Sequence, residues 1–232
     1  MDDAESYAVE HNVEELFGGL STYELRHVPD ILFMSGDDSL LHHGKRVAVV
    51  GSRKPSENGQ ARARAVAKKL VDLEITVVSG LALGVDTIAH TSAIENGGRT
   101  IAVLGAALDN PYPKRNRLLF EKIAEKHLAI SQFPSGHPIL GENFPRRNRT
   151  MAFISDATII IEASEKSGTR HQGWEALRIG RQLYLLESVA TDKSLTWPSE
   201  MIKYGARVLT QSNFEDEFLS LDNVSGIVDA SF

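Results

Sequence analysis

Short, unbroken apolar runs alternate with helix-length segments along most of this chain, and that alternation limits the fold more than any single motif does. The runs are Arg46–Val50, Ile75–Ser79, Thr100–Leu104, Leu128–Phe133, Ala157–Ala163, Gln182–Glu187 and Arg207–Thr210. A strand with one wet face alternates apolar and polar residues, whereas a strand covered on both faces does not. One intervening segment sets Ala61, Ala65, Leu70 and Leu73 roughly on a single helical face, and Val85–Glu95 is closed by the stop signal Gly97-Gly98. Asn116–His127, Arg147–Ile154 and Thr169–Gly180 complete the helical set, and Pro134–Asn143 reads as a long loop. Strands alternating with helices predict an α/β fold with a doubly wound, mostly parallel sheet.

A chain of 232 residues holds one large domain of this kind. Residues 25–213 are assigned to that single domain, residues 1–24 to an N-terminal flank and residues 214–232 to an acidic C-terminal tail. Residues 1–20 and 214–232 are expected outside the sheet, the second because Glu215, Asp216, Glu217 and Asp222 favour water. The absence of cysteine removes disulfides and thiolate zinc sites and suits a reducing cytoplasm. Met1-Asp2-Asp3-Ala4-Glu5 is too acidic for a secretory leader. No run reaches the roughly 18 apolar residues that span a bilayer, so no membrane contact is expected. The net charge of −6 requires any nucleic-acid binding to come from a local basic cluster.

Ligands of open α/β sheets bind beyond the carboxyl ends of the strands. Gly51-Ser52-Arg53 sits at such an end and offers close backbone N–H approach, a hydroxyl and a guanidinium fork, although it also suits a simple turn. Gly80-Leu81-Ala82-Leu83-Gly84 runs into a helix N-terminus where an anion can rest. It is not G-x-G-x-x-G, and Ser79 replaces the acidic ribose partner, so a nicotinamide cofactor is not expected. Asp86 and His90, four apart on that helix, make a poor metal pair and read as a loop brace and a local hydrogen-bonding group. Phe144-Pro145-Arg146-Arg147-Asn148-Arg149 concentrates cations at an expected helix start, where the helix dipole disfavours them. A bound anion would compensate, and a solvated basic face is the plainer alternative. Ser167-Gly168-Thr169 again suits phosphate or ordinary N-capping. No Walker loop, zincin motif or nucleophile elbow occurs.

In order along the chain, Val47–Arg53 (VAVVGSR), Ser79–His90 (SGLALGVDTIAH), Gly98–Gly105 (GRTIAVLG), Tyr112-Pro113 with Asn116-Arg117, Asn143–Arg149 (NFPRRNR) and Glu162–Gly168 (EASEKSG) resemble the DNA-processing protein A family (DprA/Smf). Pro29–Asp37 resembles the segment that leads into that family's domain, so the likeness covers roughly residues 25–190. The resemblance implies an extended Rossmann-like fold that binds single-stranded DNA, usually as a homodimer, and assists RecA loading during uptake of transforming DNA, without catalysis or cofactor. Its DNA pocket would use Ser52, Arg53, the Gly80–Gly84 loop and the arginines of Phe144–Arg149. The family often adds an N-terminal helical domain and a C-terminal winged helix, for which this chain has no room. After Ser167-Gly168 the family continues with small apolar residues, whereas Thr169-Arg170-His171-Gln172-Gly173-Trp174 follows here.

Two other readings remain open. A nucleotide-binding sensor could use the same strand ends. Related phosphoribohydrolases carry P-G-G-x-G-T-x-x-E, but Glu175 lies six residues past Thr169 instead of three, out of line for water attack. On a helix, Arg146 and Arg149 share a face and Arg147 points about 100° away. Arg53 and Arg146 are therefore expected to contribute comparably to DNA, and Arg147 to pair with an acidic core residue.

Overall fold

The computed structural model describes residues 8–222 apart from Ser21. Its described strands form one sheet in the order β1-β2-β6-β5-β4-β3-β7-β8-β9. They are β1 Val9–Asn12, β2 Ile31–Gly36, β3 Arg46–Val50, β4 Thr76–Ser79, β5 Thr100–Leu104, β6 Leu128–Ser131, β7 Ala157–Ile160, β8 Gln182–Leu186 and β9 Arg207–Leu209. The helices are α1 Val13–Phe17, α2 Thr22–Leu25, α3 Glu57–Asp72, α4 Val85–Glu95, α5 Arg117–Lys126, α6 Asn143–Phe153, α7 Thr169–Arg178, α8 Glu187–Ala190, α9 Pro198–Lys203 and α10 Phe214–Leu219. Strands β3 to β9 pair in parallel, and β1 and β2 add an antiparallel edge.

The doubly wound arrangement follows from the runs identified in the sequence. Every residue of β3, β4, β5, β6 and β7 is buried. Their side chains therefore feed two cores. Val47, Val49, Val77 and Ile159 meet α3 and α4, and α5 packs with Ala102, Leu104 and Ala129. Ala48, Val50, Val78, Ile101 and Ile160 point the other way, to Met151 and Phe153 of α6 and to Trp174 of α7. The winding reverses at β3, which has β4 on one side and β7 on the other.

The structure corrects four expectations. Val9–Asn12 belongs to the sheet, paired antiparallel with β2 from Asn12 against Ile31 to Val9 against Met34, and the next residue, Val13, is in the core. Val-Glu-His-Asn is too short and polar to signal a strand; it forms one because β2 offers an open edge. The proposed acidic tail is a packed helix through Leu219. Phe214 and Phe218 are buried against Tyr184, while Glu215 and Asp216 face water. Lys45 donates to the carbonyls of Phe218 and Leu219, closing the helix end. In α3 the inward residues are Ala63, Val66, Ala67 and Leu70, and Ala61 and Ala65 are exposed. Finally, α6 begins at Asn143, a turn before Arg147, because Pro145 is tolerated in a first turn whose N–H groups have no helical acceptor. The Met1–Glu5 segment and residues 223–232 of the tail lie outside the described residues.

Candidate functional site

The reversal at β3 leaves a crevice beyond the strand ends, as doubly wound topology requires. It holds a cavity of about 550 Å³. Gly51, Ser52, Arg53 and Lys54 line it after β3, Ala82 and Asp86 at the start of α4, and Phe144, Arg147 and Asn148 from α6. Ser164, Ser167, Gly168, Thr169, His171 and Gln172 close it from the β7–α7 turn and the first turn of α7. A smaller neighbouring cavity of about 50 Å³ shares Arg53, Phe144 and Arg147 and adds Gly80, Leu83, Tyr112 and Pro113.

Backbone contacts hold the first wall. The Ser52 N–H donates to Glu162 O at 2.8 Å, and the Val85 N–H donates to Ser52 O at 3.1 Å. Gly84 has φ +82°, and a Cβ there would lie 2.3 Å from Ser52 O, so only glycine fits between the two loops. Leu81 is fully buried yet left-handed at φ 58°, an uncommon conformation for a residue of its size. Ser56 links this wall to β7. Its hydroxyl accepts from the Gly59 N–H, capping α3, and donates to the Glu162 carboxylate. Replacing Ser56 by alanine is expected to cost about 1 kcal/mol, a typical N-cap value, read as a lower denaturant midpoint at unchanged slope.

Arg147 is the buried cation of the site. Its guanidinium donates to the carbonyls of Gly80 and Val103, the ends of two adjacent strands. Burial and the neighbouring Arg53 charge both work against the protonated form of Arg147, and Asp86 works for it. Asp86 accepts from the N–H groups of Gly80 at 3.1 Å and Ala82 at 3.3 Å. Burial pushes its pKa up, opposed by Arg147 and by those two donors. Arg53 is exposed and lies over the Phe144 ring at 5.7 Å, and Tyr112 packs on the same ring at 5.8 Å. The crevice therefore presents two guanidiniums beside one carboxylate, with an aromatic face at its rim.

The other candidates are distributed unevenly. Ser167 and Thr169 are bonded hydroxyl to hydroxyl at 2.9 Å at the head of α7. Leu81 and Gly84 shape the loop from behind and do not line the cavity. His90 is fully buried away from it. Thr100 gives its proton to Val77 O, so His90 Nδ1 donates to Thr100 Oγ1 at 2.7 Å, and burial lowers the His90 pKa to about 3, which keeps the ring neutral. The expected arginine track does not assemble. Arg146 lies over the Phe133 ring at 5.3 Å, and Arg149 pairs with Glu175 at 3.5 Å; neither lines the cavity. With α6 starting at Asn143, it is the face of Arg147 that turns inward.

Sequence reasoning missed Lys54, Ser164, His171 and Gln172 as lining residues. Lys54 was legible as a second cation next to Arg53. The other three carry no individual signal, and only the closeness of β7 to β3 brings them in. Among the described residues, no cluster of three metal-ligating side chains occurs and no helix is long and apolar enough to cross a membrane.

Comparison with known proteins matches this arrangement to a defined group. The profile of the DNA recombination-mediator protein A family aligns with residues 14–219. The DNA processing protein DprA of Streptococcus pneumoniae is 39% identical over 189 residues, which is 81% of this chain and 66% of that protein. For the Bacillus subtilis counterpart the aligned share of the relative is 64%, so the chain spans just under two thirds of the length of these curated relatives. The X-ray structure of the S. pneumoniae protein superposes with a TM-score of 0.79 at 33% identity, covering 96% of this chain and 79% of that one. A Helicobacter pylori DNA processing protein A structure, described for its single-stranded DNA binding mode, gives 0.78 at 28% identity, covering 91% and 94%. Profile, relatives and superposition agree, and this chain belongs to the DNA recombination-mediator protein A family, whose curated members bear the names DprA and Smf.

Proposed function

We propose that this chain binds single-stranded DNA in the crevice beyond β3 and β7, and that it processes DNA by binding and presenting it, without catalysis. The observation that carries this reading is the convergence of Arg53 and Arg147, where a phosphate would relieve the repulsion between neighbouring cations. The chemistry of the walls agrees. The N-terminus of α7 and the glycine-rich turns offer N–H groups to an anion. Phe144, flanked by Tyr112 and Arg53, offers a stacking face of the kind single-strand binders use. The single-stranded DNA binding named for the H. pylori relative supports the same ligand. A duplex does not fit this reading, because its paired bases cannot enter a crevice between two loops.

Titration with single-stranded and duplex oligonucleotides of matched length, at one salt concentration, tests it. The single strand is expected to bind more tightly; equal affinities would overturn the reading. Assistance to RecA, a homodimeric state and a cytoplasmic setting are further proposals from family membership. Light scattering and a RecA pull-down with the purified chain address the first two.

A small-nucleotide sensor draws support from the cavity's size, which suits one nucleotide unit. Mononucleotides binding as tightly as oligonucleotides would favour it. Hydrolysis is not part of the proposal. Glu175, the carboxylate nearest a phosphoribohydrolase motif, is paired with Arg149 and Arg178. Incubation with nucleoside monophosphates is expected to release no free base, and release at enzyme-like rates would refute a purely binding role.

A further inference from the structure

The two walls of the crevice differ in chemistry. The β3 side and Arg147 supply charge. The β7–α7 side, with Ser164, Ser167, Thr169, His171 and Gln172, supplies mainly hydroxyl, imidazole and amide groups. We propose that Gln172 reads the edge of a nucleobase in this cavity, so that single-stranded DNA binding by this chain depends on base identity. The proposal rests on the reading of the crevice as the DNA site.

Gln172 is 1% exposed and lines the cavity. Among the described residues, neither its Nε2 nor its Oε1 has a hydrogen-bond partner. A buried amide with both ends unmet is destabilising unless something entering the site satisfies it. A phosphate cannot do so, because its oxygens only accept and would leave Oε1 unmet. A base edge can. It sets donors beside acceptors, as adenine does with N6 and N7, and a glutamine amide matches that pattern with one acceptor and two donors.

The helix that carries Gln172 is held firmly. At the next residue, Gly173, a Cβ would lie 3.1 Å from Met201, 3.2 Å from Ile160 and 3.2 Å from Leu183, so α7 is pressed against the sheet there. The helix is therefore a fixed wall, and the Gln172 amide, closed to solvent in the free chain, meets a base by a turn of its side chain into the cavity that the residue lines. With charge on one side and the amide on the other, a nucleotide would place its phosphate toward Arg53 and its base toward α7.

The test uses the full chain and three oligonucleotides of equal length, oligo-dA, oligo-dC and oligo-dT, at one salt concentration. Homopolymers differ in stacking by themselves, so the decisive quantity is the change on mutation. The unmodified chain is expected to separate its best and worst homopolymer by roughly tenfold, the scale of one amide–base contact. Gln172→Leu is expected to bring that ratio to within about threefold, while binding keeps a steep salt dependence from the cationic wall. Gln172→Glu, which only accepts, is expected to move the order away from oligo-dT, the one of the three bases without a donating exocyclic amino group. Melting controls for folding, and Gln172→Leu should melt no lower than the unmodified chain because it removes an unpartnered polar group. A markedly lower melting point would reveal a structural partner and overturn the proposal. So would an unchanged homopolymer ratio in Gln172→Leu, or equal binding of all three by the unmodified chain; in both cases DNA binding itself stands. Failure of every oligonucleotide to bind would instead refute the DNA reading beneath it.

Discussion

Replacing Arg147 by alanine is expected to lower folding stability by about 3 kcal/mol, the order of the cost of leaving buried acceptors without their donor. The loss has two sources. The carbonyls of Gly80 and Val103, now bridged by the guanidinium, lose their donor. Asp86 stays buried without its countercharge. The second source gives a pH signature. Burial already holds the Asp86 pKa above its unfolded value, and loss of Arg147 raises it further. A carboxyl with a raised folded pKa stabilises the fold where it is protonated and penalises it as pH rises through that pKa. The deficit of Arg147→Ala should therefore be largest at neutral pH and above, and shrink on acidification. Denaturant unfolding at several pH values measures this. A deficit below about 1 kcal/mol, or one that grows toward acid, would show that Asp86 and Arg147 are not coupled in this way. Arg147→Lys should recover only part of the loss: an ammonium can imitate the single guanidinium nitrogen that meets both carbonyls, but the bond from Nε to Asn148 is lost.

Arg53→Ala should leave the fold intact and weaken single-stranded DNA binding by about 1–3 kcal/mol, the worth of a charge-assisted bond. Arg53 is exposed and lies over Phe144, so the melting point of the variant should stay within the range of ordinary surface substitutions. If it meets one phosphate, the slope of log affinity against log salt should flatten by about 0.7. The comparison with Arg146 is decisive. The sequence suggested equal effects for the two, but Arg146 lies over Phe133 outside the cavity and should cost much less. Equal losses in affinity and slope for the two variants would restore a continuous arginine track and displace the crevice as the binding surface.

Much of the sheet was readable because its strands are buried on both faces, which removes ambiguity of pattern. Val85–Glu95 and Thr100–Leu104 were located to the residue. What was not readable depends on tertiary context. Val9–Asn12 is a strand only because β2 leaves an edge, and Phe214–Leu219 packs through two phenylalanines inside an acidic stretch that composition alone assigns to water. The site divides in the same way. Gly51, Ser52 and Arg53 advertise themselves as a glycine turn followed by polar groups at a strand end. Gln172 does not, since a glutamine in a helix is ordinary until the fold buries it. The arginine cluster was visible, and helical spacing already set Arg147 apart as the inward residue; what was not readable is that Arg146 and Arg149 turn to Phe133 and Glu175 instead of the crevice.

The pairing of β3 with β7 also has a consequence during synthesis. These central neighbours are separated by more than a hundred residues, so a growing chain exposes one side of β3 until β7 has left the ribosome. That side belongs to a strand whose five residues are all buried in the finished fold, a surface prone to pairing with other chains. The crevice needs both strand ends, so no partial chain ending before β7 contains it. Completion of the crevice and protection of this buried strand are thus one event, and a ribosome stalled before β7 would release a product that lacks the crevice and is prone to aggregate.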